Sequence, residues 1–282
     1  MALMLAAASR DALAEAGASL DRYVDNTSGA DLERLGDELF TVMHLLVAEP
    51  GLRRALADPS VAVSSRTGLA ERLLDDRLSR PTLDIVAEVV SARWSRSPDL
   101  LEAIEVLARR ATLGVAEKDG SLDEVEDQLF RFGRILDREP ELNSLLTDSA
   151  TPAAKRSELL RGVLGGKVSP VTEALLTRTV QTPRGRSLDL AAEELSELAA
   201  ARRDRYVAHV LAPVGLSPDQ EQRLVSSLSQ LYSRPISLQI ELDEHLLGGL
   251  VVRVGDEVID GSVAGKLAAA RRHLPGCALP PT

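Results

Sequence analysis

"DLERLGDELFTVMHLLVAEPGLRRALADPS" occupies residues 31–60 and "SLDEVEDQLFRFGRILDREPELNSLLTDSA" residues 121–150, and the two align without a gap at an offset of ninety. Ten of the thirty positions are identical: Leu32/Leu122, Asp37/Asp127, Leu39/Leu129, Phe40/Phe130, Leu46/Leu136, Glu49/Glu139, Pro50/Pro140, Leu52/Leu142, Leu56/Leu146 and Asp58/Asp148. Spacing says more than identity. Leu32, Leu35, Leu39, Val42 and Leu46 step by three and four, as do Leu122, Val125, Leu129, Phe132 and Leu136, so each segment places one apolar stripe on an α-helix. The chain therefore reads as a duplicated helical unit.

Outward from these segments the register continues through Arg66/Arg156, Leu69/Leu159 and Leu74/Leu164 and slips by one near Pro81 and Pro170. Helix punctuation accompanies it. Thr151-Pro152 and Ser169-Pro170 place a hydroxyl cap before a first-turn proline, Gly165-Gly166 follows a helix end, and Ser121 with Glu124 forms a capping box. Residues 1–98 and 99–205 are expected to be two related bundles, with Asp99 to Lys118 closing the first and opening the second, so that the pair makes a rod.

Beyond the long helix "SLDLAAEELSELAAARRDR" the period changes. "YVAHVLAPV" reads as a strand, and Ser217-Pro218-Asp219-Gln220 caps a helix that turns Leu224, Leu228 and Leu231 inward. Ile236, Leu238, Ile240 and Leu242 alternate with polar residues, as a half-buried strand requires. "LVVRV" and "EVID" flank Gly255-Asp256 as a tight hairpin. Ser262 caps a last helix with Val263, Leu267 and Leu274 inward. Residues 206–274 are thus a small α+β module of strand, helix, strand, hairpin and helix, followed by a disordered tail at 275–282. The fold class is mainly α with a small α+β C-terminal domain.

Composition narrows the function. Aromatic residues are only 2% of the chain, so the helices pack through aliphatic side chains. A net charge of −10 opposes binding to a phosphate backbone, which requires a basic face. The single cysteine, Cys277, rules out an intrachain disulfide and fits a reducing setting. "MALMLAAASRDALAEA" lacks a basic flank and reads as the start of an amphipathic helix rather than a signal peptide. No stretch approaches the roughly 18 apolar residues of a membrane span.

Motifs that suggest chemistry have plainer readings. Ser262, His245 and Asp260 are the residue types of a hydrolase triad, but no nucleophile elbow accompanies them, and serine before a helix is the usual cap. "GVLGGKVS" departs from a phosphate loop at Arg161 and Val168, so its glycines stop a helix. His44, His209, His245 and His273 show no metal-binding spacing, and His44 falls on the polar side of its helix. Trp94 reads as buried between the two bundles, and "AARRDR" (residues 200–205) as a solvated basic face near a helix end. No catalytic residue, cofactor or metal is expected.

Within residues 241–267, "ELDEHLLGGLVVRVGDEVIDGSVAGKL" resembles the C-terminal signature of the δ subunit family of bacterial F-type ATP synthases, the counterpart of the mitochondrial oligomycin-sensitivity-conferring protein. It carries Gly248-Gly249, a strand, Gly255-Asp256, and Asp260-Gly261-Ser262 before a helix. "VAEKDGSLDEVEDQLFRFGRIL", "REPELNSLLTDSATPAAKRSELLRGVLGG" and "RGRSLDLAAEELSEL" are similar in order and spacing to the family's helical domain. Residues from about 99 to 273 thus resemble a whole ordinary member, and the extra copy before them is similar to the long actinobacterial form.

The resemblance implies a non-catalytic peripheral-stalk (stator) subunit at the cytoplasmic face of the plasma membrane. It would bind the N-terminal helices of the α subunits and the C-terminal ends of the b subunits or a b-type paralogue, coupling rotation to ATP synthesis and proton transport. In the family the α-subunit helix lies against the first and fifth helices of the helical domain, which here implies Leu107, Ala111, Val115, Leu175 and Leu176 as groove residues. Gly248, Gly249, Gly255, Asp256, Asp260, Gly261 and Ser262 are then structural residues of the b-subunit dock. The repeat alone also fits a helical adaptor of another cytoplasmic complex.

Overall fold

The structure is a computed structural model that describes residues 5–204, 207–232, 236–243, 246–254 and 257–265. Residues 1–200 group as one compact unit and 201–282 as another. The first is helical throughout. It runs α1 (Ala7–Asp25), α2 (Gly29–Ala48), α3 (Pro50–Ala57), α4 (Val63–Leu74), α5 (Arg80–Ser91), α6 (Ser97–Lys118), α7 (Leu122–Arg138), α8 (Pro140–Thr147), α9 (Ala153–Leu164), α10 (Pro170–Gln181) and α11 (Leu188–Asp204).

Both ends of α3, α4 and α5 recur ninety residues later in α8, α9 and α10. The expected slip is therefore corrected. The helices keep register, and only the proline moves, from the second position of α5 to the first of α10. Either position is tolerated, because first-turn N–H groups have no intrahelical acceptor to lose.

The repeat extends into buried polar contacts. Arg66 donates to the carbonyls of Ser91 and Ala92, and Arg156 donates to those of Val180 and Gln181, Ser91 and Gln181 being equivalent positions. Ser79 caps α5 against Glu38 of α2, with Ser79 N to Glu38 Oε2 at 2.9 Å and the Thr82 hydroxyl on the same oxygen. In the second copy, Ser169 N and the Thr172 hydroxyl donate to Gln128 Oε1 at 2.8 and 2.7 Å. Buried donors demand acceptors, so each copy spends one polar side chain of its second helix on the cap of its fifth.

Two apolar cores lie in this unit. One draws on α1 to α6, and the other on α6 to α11. Helix α6 serves both: Leu100, Ile104, Leu107 and Ala111 face the first, and Leu113 and Ala116 the second. Trp94 is buried inside the first core and not between the two, its indole N–H donating to the Val89 carbonyl at 2.7 Å.

Some local expectations change. Ser121 makes no capping box: its ψ of 13° is too near helical for the hydroxyl to reach the N3 amide, and Glu124 accepts from Gln128 instead. Pro152 itself, not Thr151, is the cap residue of α9. Gly165 takes the left-handed conformation at the end of α9, as a glycine stop requires. Arg202, expected in a solvated run, is buried, because it continues the stripe of Ala192, Leu195 and Ala199 on α11.

The second unit contains β1 (Val207–Ala212), α12 (Pro218–Tyr232), β2 (Ser237–Leu242), β3 (Val251–Val254) and β4 (Glu257–Asp260), with strand order β2-β1-β3-β4. Strand β1 pairs parallel with β2 and antiparallel with β3, and β3 and β4 form the hairpin. Parallel neighbours need a crossover, which α12 supplies. Ser217 and Gln220 cap α12 reciprocally.

Leu228 is buried on α12, but Leu231 is exposed, because the inward stripe steps by four from Leu224 through Leu228 to Tyr232. Leu242, at the end of β2, is exposed as well. Gly255, Asp256, His245, Leu267, Leu274 and the tail at 275–282 lie outside the described residues. The molecule is mainly α with a small α+β unit at its C-terminus.

Candidate partner-binding surfaces

The residues expected to line an open groove are taken up by the chain itself. Leu107 and Ala111 are buried in the first core and Leu175 and Leu176 in the second, while Val115 is half-buried against the first. The cause is the position of α6, which packs against α1, α2, α3 and α5 on one side and α7 and α10 on the other. A helix shared by two cores offers no vacant seam at those positions.

An ionic cluster fixes the other side of α6. Glu105 pairs with Arg109 on the same helix and with Arg184 and Arg186 from the segment before α11, while Arg109 also reaches Glu194 at 3.4 Å. Burial pushes the Glu105 carboxyl up, but Arg109, Arg186 and Arg184 outweigh it and hold the group below the usual carboxylate range. Arg109 is only 2% exposed, so the cluster fastens α11 to α6 rather than presenting charge to solvent.

What the helical unit does present is apolar. Phe130, Ile135, Leu145 and Leu190 are exposed. Phe130 and Leu190 flank a cleft of about 140 Å³ between α7 and α11, completed by Gly133, Arg134, Asp137, Asp189 and Glu193. In the sequence Phe130 stands out only as one identity within a repeat. The sequence signal lies in the exchanges beside it, where Met43 and Val47 of α2 become Gly133 and Asp137 of α7; Phe40 is 4% exposed and Phe130 59%.

In the C-terminal unit the glycine-rich motif is a tightly folded corner. Gly249 has φ +82°, and a β-carbon there would stand 2.4 Å from the Gly261 carbonyl oxygen, so neither its conformation nor its space admits a side chain. Gly248 also has positive φ, and its carbonyl accepts from Val263 N. Asp260 Oδ1 accepts from Ser262 N at 2.9 Å, and the Ser262 hydroxyl accepts from Gly265 N at 3.0 Å. Hydrogen bonds from Ser262 hold the Asp260 carboxyl below its ordinary range. Asp260 and Ser262 are thus a turn and a cap. Beside this corner an open cleft of about 520 Å³ is lined by Pro213, Val214, Leu216, Leu224, Gly249 and Leu250, among others.

His44 is half-buried on α2, where burial and the nearby Arg178 lower its pKa, and His209 is exposed. No cluster of three or more metal-ligating side chains occurs among the described residues, and no described helix is long and apolar enough to cross a membrane.

Comparison with known proteins places this architecture. Residues 108–274 match the family described as ATP synthase delta (OSCP) subunit. The ATP synthase subunit delta of Streptomyces griseus is 49% identical over 269 residues, covering 95% of this chain and 99% of the relative. The chain belongs to the ATP synthase delta (OSCP) subunit family. The subunit delta of a Parafrankia strain is 45% identical over 274 residues, covering 95% of this chain and 98% of the relative. Such coverage includes the extra helical copy, which these relatives share. Among solved structures, a chain of the Toxoplasma gondii mitochondrial ATP synthase hexamer is similar at 22% identity and a TM-score of 0.35, over 60% of this chain and 96% of that one. As a family member the chain is a non-catalytic, peripheral-stalk subunit of the ATP synthase.

Proposed function

We propose that this chain ties the α-subunit N-terminal helices of the catalytic head to the b subunits, or a b-type paralogue, at the cytoplasmic face of the membrane, so that the head is held against rotation during ATP synthesis and proton transport. The observation that carries the reading is the family match across both units, joined to surfaces suited to helices: apolar patches on the helical unit and an apolar cleft beside the glycine corner of the sheet unit. An amphipathic helix against an apolar groove is a common way for such surfaces to bind. We divide the chain for this purpose into the bundles 1–98 and 99–205, which face the head, and the module 206–274, which docks b.

Leu107, Ala111, Leu175 and Leu176 then act as packing that shapes the head-binding bundle rather than as its contact residues, since each is buried. The duplicated copy supplies a second bundle for the head or stiffens the stalk. Native mass spectrometry of the full chain mixed with the catalytic head of its own organism tests the reading. One copy per head, displaced by a peptide copying the α-subunit N-terminus, is expected. An intact head that takes up no copy would leave a helical adaptor of another complex as the better reading.

A further inference from the structure

The two copies bury equivalent faces differently, and the first shows what the second lacks. Arg178 of α10 lies over the Phe40 ring, 5.6 Å from its centre, and pairs with Asp37 at 2.6 Å. Asp37 and Phe40 recur as Asp127 and Phe130. On the α2/α6 face of the first copy, Phe40, Met43, Leu100 and Ala103 are buried, and α10 packs against α6. On the α7/α11 face of the second copy, Phe130 and Leu190 are exposed, and Gly133 stands where Met43 fills the first. The cleft of about 140 Å³ beside Phe130 opens at that glycine.

We propose that the α7/α11 face is a docking site for a cationic amphipathic helix of another protein, which places an arginine or lysine over Phe130 and against Asp127 as Arg178 is placed over Phe40 and against Asp37. Charge supports that occupant. Asp127, Asp137, Asp189 and Glu193 surround the face, against Arg131 and Arg134. Val47 and Ala103 of the first copy become Asp137 and Glu193 here, so the equivalent of a sealed apolar contact has acquired an acidic rim around an apolar centre, the usual anatomy of an interface. Asp127 pairs with Arg131 at 2.9 Å, but both are exposed, and such a pair exchanges readily for a cation that also stacks on the ring. A second copy of this chain is a poorer occupant, because its own Arg178 is engaged on its own Phe40.

The site can be tested without any other ATP synthase subunit, so that its failure is separate from that of the stalk reading. The probe is a fluorescein-labelled peptide copying residues 168–187, stapled between positions 176 and 180. At about 100° per residue these lie on the side of the helix away from Arg178, so the staple fixes the helix, replaces the buried Leu176 and Val180 and leaves the Arg178 side free to bind. Anisotropy is followed as the full-length chain is added. Saturable binding is expected, weakened at least tenfold by Phe130→Ala or Asp127→Lys in the chain and by Arg178→Glu in the peptide. Asp127→Lys with the Arg178→Glu peptide should recover part of the loss. Circular dichroism checks that the variants fold, as substitutions at exposed positions should. No binding at chain concentrations up to about 1 mM overturns the proposal. So does equal binding by the Arg178→Glu peptide. Concentration-dependent dimerisation of the chain abolished by Phe130→Ala would overturn it in favour of self-association.

Discussion

Glu38 and Gln128 occupy equivalent positions and do the same work with different charge, which makes a quantitative prediction possible. Glu38 accepts from the Ser79 amide at 2.9 Å, from the Ser79 hydroxyl at 2.6 Å and from Thr82, and pairs with Arg34 at 3.1 Å. Thr82 is fully buried. Glu38→Ala removes the acceptor of the Ser79 amide and leaves the Thr82 hydroxyl only the Ser79 oxygen at 3.0 Å, so a loss of about 2 kcal/mol is expected, in the range for one unsatisfied part-buried donor. Glu38→Gln keeps an acceptor in place, as Gln128 does, and loses only the difference between charged and neutral acceptors, about 1 kcal/mol. Adding Arg34→Glu should recover part of that, because Gln128 Nε2 donates to Glu124, the counterpart of position 34, at 2.8 Å.

The same comparison predicts a pH dependence. Burial pushes the Glu38 carboxyl up, but the hydrogen bonds from Ser79, Thr82 and Arg34 outweigh it, leaving the group below 4.5. A carboxyl depressed on folding contributes stability that is complete above its unfolded pKa and is lost as pH falls through the folded value. The gap between wild type and Glu38→Gln should therefore be full at neutral pH and close below pH 4.5. Urea unfolding followed by the fluorescence of Trp94, the only tryptophan and part of the same core, measures it. A Glu38→Gln variant as unstable as Glu38→Ala at neutral pH, or a gap unchanged in acid, would refute the reasoning.

Further outcomes follow from the geometry. Glu105→Ala leaves Arg109 buried without its nearest carboxylate and should cost about 3–5 kcal/mol by urea unfolding, whereas Phe130→Ala, at an exposed ring, should change stability by no more than about 0.5 kcal/mol. Since Glu105 is also depressed, its share of stability should disappear on acidification below 4.5 in wild type and be absent from Glu105→Gln. Ser262→Ala removes a cap and should destabilise the sheet unit by about 1 kcal/mol in a thermal melt. Gly249→Ala should cost more than that, or prevent that unit from folding, because the new β-carbon meets the Gly261 carbonyl and φ is positive.

The helices were legible because their signals are local. A stripe at steps of three and four, a serine before a proline and a glycine after the last leucine lie within a turn or two of the structure they determine, and the repeat reports the stripe twice. The same holds for β1, α12 and the hairpin. Expectations failed where the deciding neighbour is distant in sequence. The family resemblance implies Leu107 and Ala111 as groove residues, but residues before 98 cover them. Arg202 looked solvated because its immediate neighbours are charged, yet its burial follows the phase set by Ala192 and Leu195. The Phe130 surface is hard to read for the same reason: Phe40 and Phe130 hold equivalent positions, and the Phe40 ring is covered by Arg178, a residue of the other copy.

That asymmetry follows from joining two bundles through one helix. Helix α6 is the sixth helix of the first copy and the first of the second, so it is buried on nearly every side: Leu100, Ala103, Ile104, Leu107, Ala108 and Ala111 are buried along it, and Glu105 and Arg109 are buried in ion pairs. Helix α11 is the sixth helix of the second copy and is followed by the sheet unit. Ser97-x-Asp99-Leu100 recurs there as Ser187-x-Asp189-Leu190, but Ala103 and Ile104 give way to Glu193 and Glu194. Glu194 turns inward to Arg109 and Arg186 and helps to lock α11 in place, while Glu193 and Leu190 line the cleft. Leu190 and Phe130 stay apolar although neither is buried, and they adjoin one cleft. Their retention inside an acidic rim, where the preceding copy has a sealed contact, is what distinguishes a face kept for a partner from one closed off to solvent.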